Sequence, residues 1–208
     1  MSPLGNCHFS APVLASRAEM CPVAMYITPS TTTGVACIQT AKCLGASVIG
    51  TSGSADKLAR LDKIGLDVGI RTRAADFAQR VKTATGGKGA DVAVNCVGGS
   101  VFAEGLRSLA FGGRLGIVGY VDGSMKSEID LQALHADRLV VYGVSNARMS
   151  AAARAATVRG FARDLLPAVV DGRLTPVIDR VFVFDELPAA QRYMESNAQV
   201  GKIVIHGA

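Results

Sequence analysis

Residues 23–52 read VAMYITPSTTTGVACIQTAKCLGASVIGTS, in which two apolar runs flank a helical pattern. Residues 23–27 predict a short buried strand, residues 34–44 predict a helix, and residues 46–51 predict a second strand. Both strands are almost wholly apolar, which is typical of a parallel sheet that helices cover on both faces. The stretch therefore predicts the start of an α/β domain, with a turn at residues 28–33 between the first strand and its helix.

The alternation of apolar strands and helices continues to residue 170. Further strands are predicted at residues 67–70, 90–96, 114–119 and 139–143, and further helices at residues 54–64, 74–84, 98–109 and 151–170. Gly112 and Gly113 predict a turn that leads into the fifth strand. Six strands of this kind suit the doubly wound order 3-2-1-4-5-6 of a Rossmann-type parallel sheet.

The chain changes character after residue 170. The elements predicted there are a strand, a helix and a strand, at residues 177–184, 186–196 and 201–206. One β-α-β unit is too small to form a domain alone. We therefore predict a dinucleotide-binding domain at residues 23–170, a C-terminal segment at residues 171–208 that completes a neighbouring module, and an unassigned leader at residues 1–22.

Composition argues against several classes of protein. The 208 residues are 49% hydrophobic and 19% charged, with a net charge of +5. No apolar run approaches the roughly 18 residues of a transmembrane helix, and residues 1–22 lack the pattern of a secretory signal. The basic residues are scattered, which argues against nucleic acid and fits an anionic small molecule. Five cysteines without a C-x-x-C pair indicate reduced thiols, so we expect a cytoplasmic protein without a membrane partner.

The turn before the first helix carries part of a nucleotide-binding pattern. Such turns have glycine or alanine at a spacing of three, because the turn needs unusual dihedral angles and its backbone touches a pyrophosphate. Gly34 fits this pattern, whereas Thr28 and Thr31 stand at the other two positions. Pro29 lacks an amide donor, but threonine hydroxyls can donate to a phosphate, so we expect weakened binding. The residues predicted to hold the pyrophosphate are Thr31, Thr32, Thr33 and Gly34. The alternative for Gly34 is that it is needed only for close packing of the helix against the strand.

The turn after the second strand indicates which nicotinamide cofactor would bind. A carboxylate about 20 residues after the glycine turn binds the ribose 2′-hydroxyl of NAD. This chain has no acid at that place before Asp56, which lies inside the next helix. The residues found there instead are Ser52, Gly53, Ser54 and, one turn into the helix, Lys57. Their hydroxyls and ammonium favour the 2′-phosphate of NADP. The alternative is that Ser54 only caps the helix and Lys57 is solvated.

Other enzyme classes lack their characteristic residues. None of the four tyrosines has a lysine four positions later, as short-chain dehydrogenases require. The glycines at residues 86–89 do not complete a P-loop. The three histidines lie far apart, so no zinc-ligand cluster is predicted. No residue is assigned a catalytic role from the sequence.

Seven segments, in order and spacing, resemble the zinc-independent quinone oxidoreductases of the medium-chain dehydrogenase/reductase superfamily. They are residues 38–42 (IQTAK), 50–58 (GTSGSADKL), 85–92 (TGGKGADV), 95–99 (NCVGG), 112–114 (GGR), 176–182 (PVIDRVF) and 201–204 (GKIV). The resemblance implies an NADP(H)-dependent enzyme that passes a hydride to a quinone or an enone without a metal ion. It also implies a homodimer that forms through the sixth strand.

The resemblance assigns further residues to the cofactor. The family binds the nicotinamide half at the loops after the fourth, fifth and sixth strands, which here contain Gly98, Gly119 and Ser145. Thr72 stands where the family has an aromatic residue near the adenosine, and Arg71 or Arg73 could replace that contact at the phosphate. We expect Lys202 to lie in solvent.

The chain departs from the family in one large feature. Family members begin with a catalytic domain, and we expect none before residue 23, although residues 171–208 resemble the piece that returns to that domain. An apolar surface is therefore expected along residues 177–184. The expected absence of a catalytic domain also leaves an alternative open. In this alternative, the chain is a truncated and catalytically inactive module that binds nucleotide or dimerises.

Overall fold

A computed structural model describes residues 24–27 and 32–207 and shows a six-stranded parallel sheet. Its strands are β1 (Ala24–Ile27), β2 (Ser47–Ser52), β3 (Val68–Arg71), β4 (Ala90–Asn95), β5 (Leu109–Ile117) and β6 (Val140–Gly143). The observed order is β3-β2-β1-β4-β5-β6, and every neighbouring pair is parallel. The doubly wound α/β fold predicted from the apolar strands is therefore confirmed.

Seven α-helices accompany this sheet in the described part of the chain. They are α1 (Thr32–Cys43), α2 (Ala55–Asp62), α3 (Ala78–Ala84), α4 (Phe102–Arg107), α5 (Leu131–Ala136), α6 (Ala151–Asp164) and α7 (Leu166–Val170). A short 3₁₀ turn at Gly99–Val101 precedes α4. None of the helices in the described ranges is long and apolar enough to cross a bilayer.

Two apolar clusters form the core. The first contains Tyr26 on β1 and Phe77 before α3, whose rings stack with centroids 4.6 Å apart. The second contains Ile38 from α1 and Leu61 from α2. Because alternate residues of a buried strand point to opposite faces, Tyr26 and its neighbour Ile27 belong to different clusters. The core thus holds helices against both faces of the sheet.

Two predicted helices begin or end differently, for local reasons. The helix predicted at residues 74–84 begins only at Ala78, because the Thr72 hydroxyl accepts a hydrogen bond from the Ala74 amide at 3.0 Å and closes a turn. The helix predicted at residues 151–170 is broken into α6 and α7. Pro167 lies in the first turn of α7, and a proline there cannot continue a preceding helix.

The region from residue 98 to residue 137 also differs from expectation. The helix predicted at residues 98–109 is the 3₁₀ turn followed by the shorter α4, and β5 already begins at Leu109. The predicted turn at Gly112 and Gly113 lies inside β5, where the pairing with β4 is irregular. Gly112 there has a φ of 73°, which favours glycine. Helix α5 was not predicted, although Asp130 caps its first turn.

The C-terminal residues form a β-α-β unit, as expected. It consists of β7 (Ile178–Val183), a 3₁₀ turn (Phe184–Glu186), α8 (Leu187–Glu195) and β8 (Lys202–His206), and β7 and β8 pair in parallel. Asp179 is 3% exposed at its side chain and pairs with Arg60 of α2. It also accepts hydrogen bonds from the Tyr193 hydroxyl at 2.7 Å and the Val200 amide at 3.2 Å. The unit is therefore held against α2, while the domain boundary at residue 170 stays a prediction.

One face of β7 carries exposed apolar side chains. Ile178, Val181 and Val183 are each about half exposed, and Phe184 follows them at 61%. The apolar surface expected along residues 177–184 is present in the structure.

Candidate functional site

The predicted site residues follow the carboxyl ends of the sheet strands. Because the six strands are parallel, these ends lie along one edge of the sheet, where open α/β sheets bind ligands. The turn after β1 contains Thr28, Pro29 and Thr31, which lie outside the described residues. The remaining predicted residues divide between the β1–β3 half and the β4–β6 half of the edge.

Helix α1 begins at Thr32 and buries Gly34 in its first turn. Thr33 is exposed and lines a cavity of about 420 Å³ together with Lys202 at the start of β8. Lys202 has an exposed side chain, so it borders both this cavity and solvent. The first turn of α1 thus borders this cavity through Thr33.

The turn after β2 is built from hydroxyl groups and a glycine. Ser52 is buried, and its hydroxyl accepts a hydrogen bond from the Ser54 amide at 3.2 Å. The Ser54 hydroxyl caps α2 by accepting from the Lys57 amide at 3.2 Å, as the capping interpretation expected. Both hydroxyls thus already have a backbone partner.

Arg73 lies across Gly53 in this turn. A Cβ atom at Gly53 would meet the Arg73 side chain at 2.5 Å from Cγ and 2.7 Å from Nε. Only glycine leaves room for this approach. Arg73 has no ion-pair partner among the described residues, since none of the observed salt bridges includes it. The structure thus places a guanidinium group on the turn that lacks a carboxylate.

Lys57 and Thr72 have other partners in this structure. The Lys57 ammonium contacts the backbone oxygen of Asn197 and lies 3.2 Å from its side-chain oxygen. Burial and the neighbouring Arg60 lower the pKa of Lys57. The Thr72 hydroxyl donates to Asp76 at 2.6 Å, which lowers the pKa of that carboxyl. Roles for Lys57 and Thr72 at the cofactor stay predictions.

The turn after β4 is organised by Asn95. Its side-chain oxygen accepts from the amides of Val97 and Gly98, each at 2.9 Å, and its amide group donates to the Gly98 oxygen at 2.8 Å. Gly98 has a φ of 133°, and a Cβ atom there would lie 2.0 Å from the Asp122 carboxylate. Glycine is therefore required here both for the dihedral angle and for the approach of the next loop.

The loop after β5 folds back over the turn after β4. Asp122 accepts hydrogen bonds from the Ser100 amide at 3.0 Å, from the Ser100 hydroxyl and from the Ser124 amide at 2.8 Å. The hydrogen bond from the Ser100 hydroxyl is the main cause that lowers the pKa of Asp122. The loop is thereby fastened to the glycine turn.

Two open cavities meet at Gly119 and Tyr120, just after β5. One of about 370 Å³ also includes Asn95, Gly98 and Lys126, and the other, of about 740 Å³, reaches the Ser145 loop after β6. These two adjoining cavities, called the crevice below, are lined by Gly98, Gly119 and Ser145, and the role of these residues at the nicotinamide stays a prediction.

Sequence reasoning missed Asn95 and Tyr120, which line this crevice, and Asp122, which fastens the loop after β5 to the turn after β4. Asn95 gave a signal, because it is a polar residue at the end of an apolar strand. The long irregular loop from residue 118 to residue 130 was a second signal, since loops of about this length in compact domains are often functional. The described residues contain no group of three or more His, Cys, Asp and Glu placed to hold a metal ion.

A doubly wound sheet with glycine-containing turns at its carboxyl edge is the architecture of dinucleotide-binding domains. Residues 32–160 match the model of the zinc-binding dehydrogenase family. The chain belongs to this family, which places it in the medium-chain dehydrogenase/reductase superfamily as the NAD(P)-binding part.

Individual relatives agree with this assignment. The chain is 29% identical over 177 residues to quinone oxidoreductase-like protein 2 of Bos taurus, covering 83% of this chain and 49% of that protein. It is 26% identical over 172 residues to acryloyl-coenzyme A reductase of Sulfurisphaera tokodaii, covering 83% of this chain and 47% of that protein. The chain thus spans about half the length of these two relatives.

A solved structure also matches the fold. Mycobacterial Rv1454c complexed with NADPH superposes with a TM-score of 0.73 at 27% identity. The match covers 88% of this chain and 57% of that chain. A relative with the same domain fold therefore binds NADPH.

Proposed function

We propose that the chain binds NADPH along the carboxyl edge of its sheet and reduces a quinone or an enone. The adenosine half would lie over β1 to β3, and the nicotinamide half would lie in the crevice at Gly98, Gly119 and Ser145. NADPH supplies the hydride, and the protein residues bind and orient it. The bovine and archaeal relatives support this reaction class through their names.

The position of Arg73 across Gly53 carries the preference for NADPH. A 2′-phosphate at this turn would find a guanidinium group and the Ser52 and Ser54 hydroxyls, with no carboxylate in the turn to repel it. NADH lacks that phosphate and would leave Arg73 without an anionic partner. NADPH bound to the mycobacterial relative supports the same preference.

The experiment is a titration of NADPH and NADH with the purified chain, followed by nicotinamide fluorescence. The chain has no tryptophan, so its own emission interferes little. We expect tighter binding of NADPH than of NADH. Arg73→Gln should remove about tenfold of NADPH affinity, the ~1.5 kcal/mol of a hydrogen bond to a charged group, and leave NADH unchanged. Arg154→Gln on α6, which makes the same charge change, should alter neither. Failure of both cofactors to bind at millimolar concentration would contradict the proposal.

A second candidate is a nucleotide-binding module without turnover. The exposed apolar side chains of β7 and the residue after it, from Ile178 to Phe184, favour it. NADPH binding without oxidation of NADPH in the presence of quinones and enones would support this candidate. Turnover by the isolated chain would exclude it.

We further propose a homodimer through β6. This strand is one edge of the sheet, and its Val140 and Tyr142 are partly exposed. An open strand edge is a template for pairing with a second copy. Light scattering should give the mass of a dimer for the wild type and of a monomer for Val140→Lys. Val158→Lys on α6 serves as the control, and a monomeric wild type would contradict the proposal.

A further inference from the structure

We propose that Tyr120 is the proton donor that completes reduction of an α,β-unsaturated carbonyl substrate. This inference rests on the proposed function, because it assumes that the nicotinamide lies in the crevice after β4, β5 and β6. It adds the substrate class and one catalytic residue to that function.

Tyr120 occupies the place where the two crevice cavities meet. It lines both the cavity of about 370 Å³ and the cavity of about 740 Å³. Among the described residues that line the larger cavity, Tyr120 carries the only ionisable side chain. The smaller cavity adds only Lys126, which does not reach the larger one. Among the described residues, Tyr120 is therefore the one ionisable side chain that lines both cavities.

The backbone on both sides of Tyr120 is held to the end of β4. The Val118 amide donates to the Asn95 oxygen at 2.9 Å, and the Asp122 amide donates to the Val97 oxygen at 2.9 Å. Asp122 is in turn fastened by Ser100 and Ser124. These anchors fix the backbone of Tyr120 relative to Gly98 and Gly119. Catalytic groups need this kind of fixed placement.

The Tyr120 hydroxyl is available to a ligand. The side chain is 58% exposed, and no hydrogen bond from its hydroxyl to any described residue is observed. In contrast, the hydroxyls of Tyr26 and Tyr193 are occupied by Thr51 and Asp179. The Tyr120 hydroxyl thus differs from these two in having no hydrogen-bond partner among the described residues, so it can donate its proton to a ligand.

The chemistry of an enone requires such a donor. A hydride from NADPH forms a C–H bond at the β-carbon, the C=C π bond breaks, and its electron pair moves to give an enolate. NADPH is oxidised to NADP⁺. The enolate α-carbon then takes the proton from the Tyr120 hydroxyl as that O–H bond breaks, and water returns a proton to the phenolate. The substrate is reduced by two electrons and gains one hydride and one proton.

The first test needs only cofactor binding. Tyrosines are nitrated with tetranitromethane, with and without saturating NADPH, and the modified peptides are quantified by mass spectrometry. NADPH should protect Tyr120, whereas Tyr193, which lies on α8 and lines neither crevice cavity, provides the internal comparison. Equal nitration of Tyr120 in both samples, with NADPH binding confirmed by fluorescence, would overturn the placement.

The second test uses Tyr120→Phe with 2-methylcyclohexenone as substrate. Tyr120 is exposed, so the variant should fold, and its thermal transition and NADPH affinity should match the wild type. We expect kcat to fall about a hundredfold with little change in KM. The wild type should form mainly one enantiomer at the α-carbon, whereas water would protonate the variant's enolate from both sides and give a mixture. Tyr142→Phe should retain the wild-type rate and stereochemistry.

The outcomes separate this inference from the proposed function. Absence of NADPH binding refutes both. NADPH binding without any enone turnover refutes the reduction and the role of Tyr120 in it, even where nitration places Tyr120 at the cofactor. Turnover in which Tyr120→Phe keeps its rate and its single enantiomer refutes only the role of Tyr120.

Discussion

Replacing Asp179 with alanine should release the C-terminal β-α-β unit from α2. The buried carboxylate serves three donors at once, which are the guanidinium of Arg60, the hydroxyl of Tyr193 and the amide of Val200. Arg60 is 44% exposed, so water can solvate its guanidinium once Asp179 is removed. The loss of this ion pair therefore lowers the free energy of unfolding only slightly. The other two donors are partly buried and would lose a charged acceptor, at about 1.5–3 kcal/mol each. We expect a loss of roughly 3–5 kcal/mol in the free energy of unfolding, as for other broken buried pairs.

The assay is urea unfolding followed by far-ultraviolet circular dichroism. The matched control is Asp171→Ala, because Asp171 pairs with Arg173 near the same unit but is half exposed, and its loss should leave the unfolding midpoint nearly unchanged. Equal unfolding midpoints for the two variants would refute the reasoning, since burial of the carboxylate would then contribute nothing.

The same carboxylate predicts a dependence on pH. Burial alone raises the pKa of Asp179, but the hydrogen bonds from Arg60, Tyr193 and Val200 outweigh it and hold the pKa below its ordinary value. A carboxyl whose folded pKa is depressed stabilises the protein above its unfolded pKa, and that stability is lost as the pH falls through the folded pKa. The difference between wild type and Asp179→Ala should be complete at neutral pH and shrink below about pH 4.

Three further substitutions test the site and its support. Glu104→Ala removes a buried carboxylate that accepts a hydrogen bond from the first amide of α3 at 2.7 Å. We expect it to lower the free energy of unfolding by about 2 kcal/mol, measured by thermal or urea unfolding. Glu104→Gln keeps an acceptor and should lower it less. Gly98→Ala should cost about 1–3 kcal/mol for its φ and expel Asp122, so that limited proteolysis cuts the loop after β5 faster. Gly160→Ala on α6, where a Cβ atom meets nothing within 4 Å and the φ is not positive, is the control. Gly53→Ala should displace the arginine that lies across it and reduce NADPH affinity, measured by fluorescence, towards that of Arg73→Gln.

The sheet and its order could be predicted because the information is local and repeated. Each strand is a short apolar run between helical patterns, and parallel topology then fixes where the turns lie. Helix boundaries were less certain, because they depend on single side chains such as Thr72, whose hydroxyl competes with the first turn of α3. The break at Pro167 was readable from the sequence, since proline removes a helical hydrogen bond. The irregular pairing at Gly112 could not be predicted from the sequence, because it depends on β4, which lies some twenty residues earlier.

The site was predictable only where topology alone places a residue. Gly98, Gly119 and Ser145 follow three strand ends and therefore had to meet at one edge. Lys57 and Arg73 show the limit of this reasoning. The partner of Lys57 is Asn197, which is 140 residues away, and no local pattern indicates that contact.

The two cations of α2 explain why Arg73 matters at the turn. Lys57 and Arg60 lie almost one helical turn apart on α2, and both point to the C-terminal unit, where they meet Asn197 and Asp179. The positive charges of Lys57 and Arg60, which would otherwise lie beside the Ser52–Ser54 turn, therefore bind the C-terminal β-α-β unit, here called the tail. Arg73, the second residue after β3, supplies a cation on this turn, and Gly53 is the residue that lets it approach. Under the proposed function, attachment of the tail and recognition of a phosphate would use different cations, so substitutions at Asp179 and at Arg73 should affect stability and cofactor preference separately.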